Sequence, residues 1–555
     1  MNIDSIRITG FRSIKGPLQL KLGQITAMIG ANNVGKSNIV SAIYRVLGRD
    51  WVTVNTFDED DVFNNDPEQD ICIDIIFSEP FKHEVFKGLN IDIPKLRFLY
   101  TRYKVGENKG RRRLEKHCLK LNDEVVMKFK SRPQKGKQAE FEPYTTIPQE
   151  IQENIPVIYI GTDRSLKSQL PSSRNSLLGA LLNEINKDFQ RDENIMKCKD
   201  IKGNDIEITR KQRFLDCIAA AMEALKTDEL LSLEKSIKTN ALHQLGFNPE
   251  TEADNLDIQF APFTSLEFYK SLELFVVENN FRINATELGG GFQNALVIAI
   301  MKAFEERKKQ GAIFLIEEPE MFLHPQMQRS LYTTIRNIGK TNQVIYITHS
   351  PHFVTIPEFD EIRIISKGKD GTQIVQSSLP ADPKLKEKFR KELDPERNEL
   401  FFARKLLIVE GDTEKLALPE YAKRLKADID RNGGTIIEVG GKRNIIDFVE
   451  LAISLQIPVG FIYDIDSSDF AKDQKEKEIE YNKLLDSYSK NGVAVWKLDS
   501  NYESMICAEF GKDAYQKYCN QYGGYSKAVR ARMFAQDESI PVPKFINSII
   551  DWITN

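Results

Sequence analysis

The chain has 555 residues, of which 41% are hydrophobic and 28% charged, with a formal net charge of −4. That length exceeds what one hydrophobic core sustains and suggests roughly three to four structural units. Near-neutral charge argues against blanket nucleic-acid binding while leaving room for a local patch, and no apolar run approaches the ~18 residues that span a bilayer.

No membrane association is expected, and Met1 to Ser5 lack the basic start and apolar core of a signal peptide, so the cytoplasm is the expected location. Cys72, Cys118, Cys198, Cys217, Cys507 and Cys519 are scattered without a CxxC pair, which predicts buried thiols rather than a zinc site or disulfide framework. His83, His117 and His243 have no ligand-like neighbours and read as ordinary histidines.

Alternating Ile3, Ile6 and Ile8, then Leu18, Leu20 and Leu22, predict two strands, and the apolar run Ile25 to Ile29 predicts a third. It leads into Gly30-Ala31-Asn32-Asn33-Val34-Gly35-Lys36-Ser37, which has the P-loop spacing G-x-x-x-x-G-K-[ST]. The glycines let backbone N–H groups turn toward phosphate oxygens, Lys36 supplies charge to the outer phosphates, and the Ser37 hydroxyl is placed for Mg²⁺. A helix opens at Ser37-Asn38, and Asp70 to Phe77 alternates as a further strand. Residues 101–140 hold thirteen Lys/Arg against five Asp/Glu, including Arg111-Arg112-Arg113. They read either as a solvated hairpin or as a DNA-facing strip.

From about 165 to 255 the apolar spacing becomes helical, with Leu177, Leu178, Leu181 and Leu182, then Ile218, Met222 and Leu225, then Leu230, Leu231 and Leu233. These faces must bury against the rest of the chain or a second copy. Next, Leu288-Gly289-Gly290-Gly291-Phe292-Gln293 opens another helix, resembling a degraded ABC signature LSGGQ. Such a glycine-rich helix start is an anion site that, in ABC ATPases, serves the partner's P-loop, so Gly290 and Gln293 imply a homodimer.

Ala312 to Ile316 is an apolar strand ending in Glu317-Glu318, the first carboxylate orienting the Mg²⁺ shell and the second activating water. Glu317 stands where such enzymes usually carry Asp. Leu323-His324-Pro325 takes a D-loop position, and Val344 to Thr348 is a strand delivering His349 as a γ-phosphate sensor. Asp382 to Arg397 reads as a linker or surface helix.

Four further apolar runs, Leu406 to Val409, Thr435 to Val439, Val459 to Tyr463 and Val493 to Trp496, predict a parallel sheet. Glu410 sits at the tip of the first, Glu414 one helical turn later, and Asp464 and Asp466 follow the third. Carboxylates converging at the carboxyl ends of parallel strands suit Mg²⁺ or Mn²⁺. Glu503 is the candidate to complete a second metal site, with Asp499 a weaker one, and Lys527 is the candidate to neutralise charge in the transition state.

The succession of P-loop, helical insertion, GGGFQ, IEEPE with LHP, THSPH, NELFFARKLLIVEGDTE and DID resembles the overcoming lysogenization defect (OLD) family of ATP-dependent nucleases. The resemblance implies an α/β fold: an ABC-type ATPase (1–164 and 256–380) interrupted by a helical dimerisation insertion (165–255), a linker (381–400) and a Toprim domain (401–555). Carried over by position, it implies ATP contacts at Gly30, Asn33, Gly35, Lys36, Ser37 and Asn38, catalysis at Glu318 and sensing at His349. It implies metal ligands at Glu410, Glu414, Asp464, Asp466 and Glu503, with Lys527 as the catalytic lysine. A Glu at the position of Glu317 is tolerated in this family.

The expected protein is an ATP-regulated DNA endonuclease acting as a homodimer or an assembly of dimers, with some relatives acting in anti-phage defence beside a helicase or other partner. The competing expectation is a non-catalytic ATP-dependent DNA clamp with a vestigial Toprim domain. A topoisomerase-like strand transferase would need a nucleophilic Tyr on a separate DNA-binding domain, and Tyr463 reads as core instead.

Overall fold

A computed structural model describes residues 2–48, 50–132, 139–162, 166–171, 176–199, 205–252, 254, 256, 258, 263–278, 281–307, 311–354, 359–379, 382–465, 472–499 and 501–555. Asp466, Lys135 and Lys137 therefore lie outside the described residues. The chain divides into two compact units, Met1–Thr162 with Gln310–Asn555, and Asp163–Lys309.

The first unit is built on three large sheets, beside a small two-stranded one, Met127–Phe129 with Phe141–Pro143. Five antiparallel strands run in the order Leu18–Lys21, Ile3–Thr9, Ile71–Phe86, Leu89–Arg102, Arg112–Leu119. A six-stranded sheet orders Gly371–Gln376, Ile362–Gly368, Ile25–Ile29, Gln343–Ile347, Ile313–Glu317 and Val157–Ile160, with all but the first strand parallel. Ile25–Ile29, Ile313–Glu317 and Gln343–Ile347 are buried at every residue, as expected for parallel strands covered on both faces. The antiparallel strands alternate instead, and their inner face (Ile6, Ile8, Ile73) packs in one core with Ile43 and Val46 of helix Lys36–Leu47.

The third sheet is wholly parallel, in the order Gly434–Glu438, Lys405–Val409, Val459–Asp464, Ala494–Leu498. Leu406 and Ile408 face one way, into a core shared with Ile29, Val354 and Ile362 of the P-loop side. Leu407 and Val409 face the other, under helices Asp412–Arg424, Lys527–Gln536 and Lys544–Thr554. Within this unit the P-loop sheet and the acidic sheet are thus joined by continuous packing.

The segment expected as a linker contributes to that packing. Helix Pro383–Glu392, capped by Asp382, buries Phe389 between Phe359 (5.5 Å) and Phe448 (5.9 Å). Part of the basic stretch 101–140 is neutralised locally: Arg102 and Arg112 share Glu59, Arg113 pairs with Glu115, Lys128 with Glu142 and Lys130 with Glu140. This is the solvated-hairpin outcome for those pairs. The thiol expectation needs correcting, because Cys118 is buried but Cys217 is exposed and the other four are half-buried. Cys72 and Cys198 sit on strands and Cys217, Cys507 and Cys519 on helices, at faces that neighbouring elements leave partly or wholly open.

The second unit is not purely helical. Helices Leu177–Phe189, Arg210–Leu225, Asp228–Gln244, Ser265–Lys270 and Gly290–Arg307 are accompanied by two hairpins, Ile195–Lys199 with Asp205–Thr209 and Phe275–Glu278 with Phe281–Asn284. Leu177, Leu181 and Leu182 are buried, whereas Leu225, Leu231 and Leu233 are exposed. Among the described residues no helix is long and apolar enough to cross a membrane.

Candidate functional site

The P-loop follows from its sequence. Gly30 (φ +146°), Asn33 (φ +63°) and Gly35 (φ +106°) take the turns that bend the chain from the buried strand into helix Lys36–Leu47. A Cβ at Gly30 would lie 2.1 Å from the Ile365 carbonyl oxygen, and one at Gly35 2.2 Å from Thr372 Oγ1. Only glycine fits either place. Lys36 Nζ donates to the Gly30 and Ala31 carbonyls at 2.9 and 2.7 Å, so its ammonium lies inside the loop that would wrap a phosphate. Burial pulls its pKa down to about 8, against the opposing charges of Glu318 and Glu317.

Ser37 Oγ donates to Glu317 Oε2 at 2.8 Å, joining the two positions expected to serve Mg²⁺. Tyr159 donates to Glu317 Oε1 at 3.0 Å, a support that the sequence did not reveal. Glu318 leaves its strand with φ +46°, and its Oε1 is 4.0 Å from His349 Nε2. Burial, then the charge of Lys36, lowers the His349 pKa against Glu318, which favours the neutral ring. Glu320 Oε1 accepts from Thr348 Oγ1 and the His349 N–H, fixing the end of strand Gln343–Ile347. Asn33, Lys36, Ser37, Asn38, Glu318 and His349 line one cleft of about 280 Å³. Asn38 also donates to Ser13 Oγ at 2.7 Å.

Gly290 and Gln293 lie in the other compact unit. The Gln293 side chain donates to the Thr286 and Leu288 carbonyls and accepts from the Leu166 N–H, shaping its own turn.

At the parallel sheet, Glu410 leaves the tip of Lys405–Val409 and its Oε1 accepts from the Asp464 N–H at 2.7 Å. Glu414, in the first turn of Asp412–Arg424, is 8% exposed. Burial pushes its carboxyl up to about 7; a backbone hydrogen bond and Lys527 oppose, while Asp464 and Glu503 add to the rise. Glu503 begins helix Tyr502–Phe510 and pairs through Oε2 with Lys527 Nζ at 2.8 Å, while its buried Oε1 has no hydrogen-bond partner. Burial works against the Lys527 ammonium, yet Glu503, Asp464 and Glu414 hold its pKa above the usual value.

Glu410, Glu414, Asp464, Glu503 and Lys527 are thus brought to one edge of the sheet, with Asp466 outside the described residues. Asp499 is exposed at the end of its strand. Among the described residues no three acidic, His or Cys side chains converge tightly enough to cage an ion. The donor set is nonetheless of hard oxygens, with one orphaned buried carboxylate oxygen, and so fits Mg²⁺ or Mn²⁺ in kind.

Sequence reasoning missed Lys442. It is buried, donates to the Asp464 carbonyl at 2.5 Å and pairs with Glu478 at 2.7 Å. The sequence signal was Gly440-Gly441 after the strand Gly434–Glu438, both with positive φ. Tyr463 is buried and donates to Asp486, consistent with a core role.

The AAA ATPase domain family matches residues 1–354, and the TOPRIM domain of overcoming lysogenization defect protein-like proteins matches residues 401–466. The chain is 27% identical over 472 residues to the OLD nuclease of Thermus scotoductus, covering 83% of this chain and 81% of that protein. It is 23% identical over 501 residues to the Old nuclease of Escherichia phage P2, covering 84% and 77%. Endonuclease GajA of Bacillus cereus (strain VD045) is 27% identical over 155 residues, 28% of this chain and 26% of that one.

Proposed function

This chain belongs to the AAA ATPase domain family, in the form that carries an OLD-like TOPRIM domain, and we propose that it is an ATP-governed, divalent-metal-dependent DNA endonuclease. The observation that carries the reading is the gathering of Glu410, Glu414, Asp464, Glu503 and Lys527 at the carboxyl edge of a parallel sheet. That edge lies in the same compact unit as the P-loop cleft.

Glu410, Glu414, Asp464 and Glu503 would hold Mg²⁺ or Mn²⁺, which when bound would polarise a phosphodiester and make water a stronger nucleophile. The Lys527 ammonium, half-exposed beside Glu503, is placed to offset charge developing on the phosphate. Lys442 holds the Asp464 carbonyl, so that side chain departs from a fixed backbone.

At the other cleft Lys36 would bind the outer phosphates of ATP, Ser37 and Glu317 would hold Mg²⁺, Glu318 would receive a proton from water, and His349 would read the γ-phosphate. A homodimer is part of this reading, supported by the exposed apolar helices of the second unit. Anti-phage defence, beside a helicase or another partner, is the setting that kinship favours.

The test is cleavage of supercoiled plasmid with Mg²⁺ or Mn²⁺, with and without ATP, by wild type, Glu410→Ala and Lys36→Ala. Cleavage that disappears in Glu410→Ala supports the reading, and the Lys36→Ala lanes give the direction of ATP control. ATP hydrolysis without cleavage in any lane would favour a DNA clamp instead.

A further inference from the structure

Two hydrogen-bonded residues in the segment expected to be a linker connect the nucleotide sensor to the acidic site. The short 3-10 helix Arg397–Phe402 lies between the P-loop sheet and the parallel sheet of the first unit. Asn398 is fully buried, and its Nδ2 donates at 3.1 Å to the carbonyl of Pro351, two residues after His349. Its neighbour Arg397 reaches the opposite way. Arg397 Nε donates to the Glu438 carbonyl at 2.9 Å and Nη2 to Glu438 Oε1 at 3.1 Å, while Nη1 is anchored on Glu392.

From Glu438 the path enters the acidic site directly. Glu438 Oε2 accepts from the Gly440 N–H at 2.9 Å, the Gly441 N–H donates to the Glu410 carbonyl at 2.9 Å, and Lys442 holds the Asp464 carbonyl. Gly440 has φ +69°, and a Cβ there would lie 3.3 Å from Arg397 Nη2, so this turn is shaped to seat on the guanidinium. Each step of this route, from the Pro351 carbonyl to Glu410 and Asp464, is a direct hydrogen bond or an adjacent residue. The Arg397 contacts to Glu438 and Glu392 are charge-assisted, the stronger kind.

We propose that Asn398 and Arg397 are positioning residues that carry nucleotide state from the His349 loop to the Gly440–Lys442 turn, and so set the placement of Glu410 and Asp464. The cause is mechanical. Packing around this segment, including Leu400, Phe401, Val354 and Phe448, is dense and buried, so a shift of the Pro351 carbonyl is passed on rather than absorbed. The idea deepens the endonuclease reading and rests on it only for the cleavage measurement below.

The test compares wild type, Asn398→Ala and Arg397→Gln. Hydrogen exchange of the peptide spanning 439–444 is followed with and without ATP, using exchange at the P-loop peptide as the control for nucleotide binding. In wild type, ATP is expected to change exchange in 439–444 by about threefold or more, a local-opening effect. In both variants that change is lost while P-loop protection by ATP persists. Plasmid cleavage supplies the second readout: the ratio of cleavage with ATP to cleavage without it moves to one in the variants, while ATP hydrolysis stays within about twofold of wild type. An ATP-dependent exchange change that survives in both variants, with P-loop protection intact, overturns the route. So does a wild-type 439–444 peptide that ignores ATP. Absence of cleavage in every protein, with the exchange pattern as expected, would sink the nuclease reading and leave the coupling standing.

Discussion

At the scale of single residues, the phosphate-binding lysine carries a pH signature. Lys36 is pulled down to about 8 by burial, with its ammonium held on two loop carbonyls. Phosphate charge in the loop would push that pKa back up, so binding takes up a proton wherever the free protein has lost it. Below pH 7 Lys36 is charged in both states and affinity is level in this respect. Above pH 8 the free form is increasingly neutral, and affinity falls by about tenfold per pH unit until the bound form also titrates. Calorimetric titration with metal-free ATP at pH 7 and pH 9, in buffers of different ionisation enthalpy, should show the loss together with proton uptake. Equal affinities and no proton uptake would mean that Lys36 is not buried as described.

At the scale of elements, the loop before helix Lys36–Leu47 is the most constrained feature. Gly35→Ala must place a methyl group against Thr372 Oγ1 and Ser13 Oγ at φ +106°, where left-handed backbone alone costs roughly 1–2 kcal/mol for an L-residue. The expected result is loss of measurable ATP binding with a thermal midpoint only a few degrees lower. Binding at the wild-type level would show that the loop need not hold this shape. This element was legible in the sequence because phosphate binding demands a backbone conformation that only particular residues adopt. The parallel sheet was legible for a related reason: strands covered on both faces must be apolar runs, and their carboxylates then fall at the ends. The hairpins of the second unit were not legible because their strands are only four or five residues long, too short for a two-residue alternation to stand out from the helical spacing around them. Tyr159, Arg397, Asn398 and Lys442 stayed hidden for another reason. Their roles are set by partners far away in sequence, as with Arg397 and Glu438, 41 positions apart.

At the scale of the whole molecule, the second unit leaves apolar surface uncovered. Helix Arg210–Leu225 has no buried residue, although Leu215, Ile218, Met222 and Leu225 recur on one face, with Leu215 45% and Leu225 59% exposed. On Asp228–Gln244, Leu233 and Ile237 lie one turn apart at 56% and 48% exposure. Monomeric proteins rarely leave such stripes to water, and a second copy of this chain is the covering the proposed homodimer supplies. The double variant Leu233→Glu, Ile237→Lys tests this without penalising the helix, because Glu followed four residues later by Lys is a favourable pair on a helix surface. Exposed substitutions of this kind change folding stability by about 0.5 kcal/mol or less, so the variant should melt with the wild type as long as melting does not depend on assembly. Light scattering is then expected to give a dimer mass for wild type and a monomer mass for the variant. ATP hydrolysis should fall while ATP binding persists, because in this reading the Gly290 turn of one copy completes the cleft of the other. A wild type that is monomeric at micromolar concentration would remove the dimer from the proposal, and the exposed stripes would then call for a different partner.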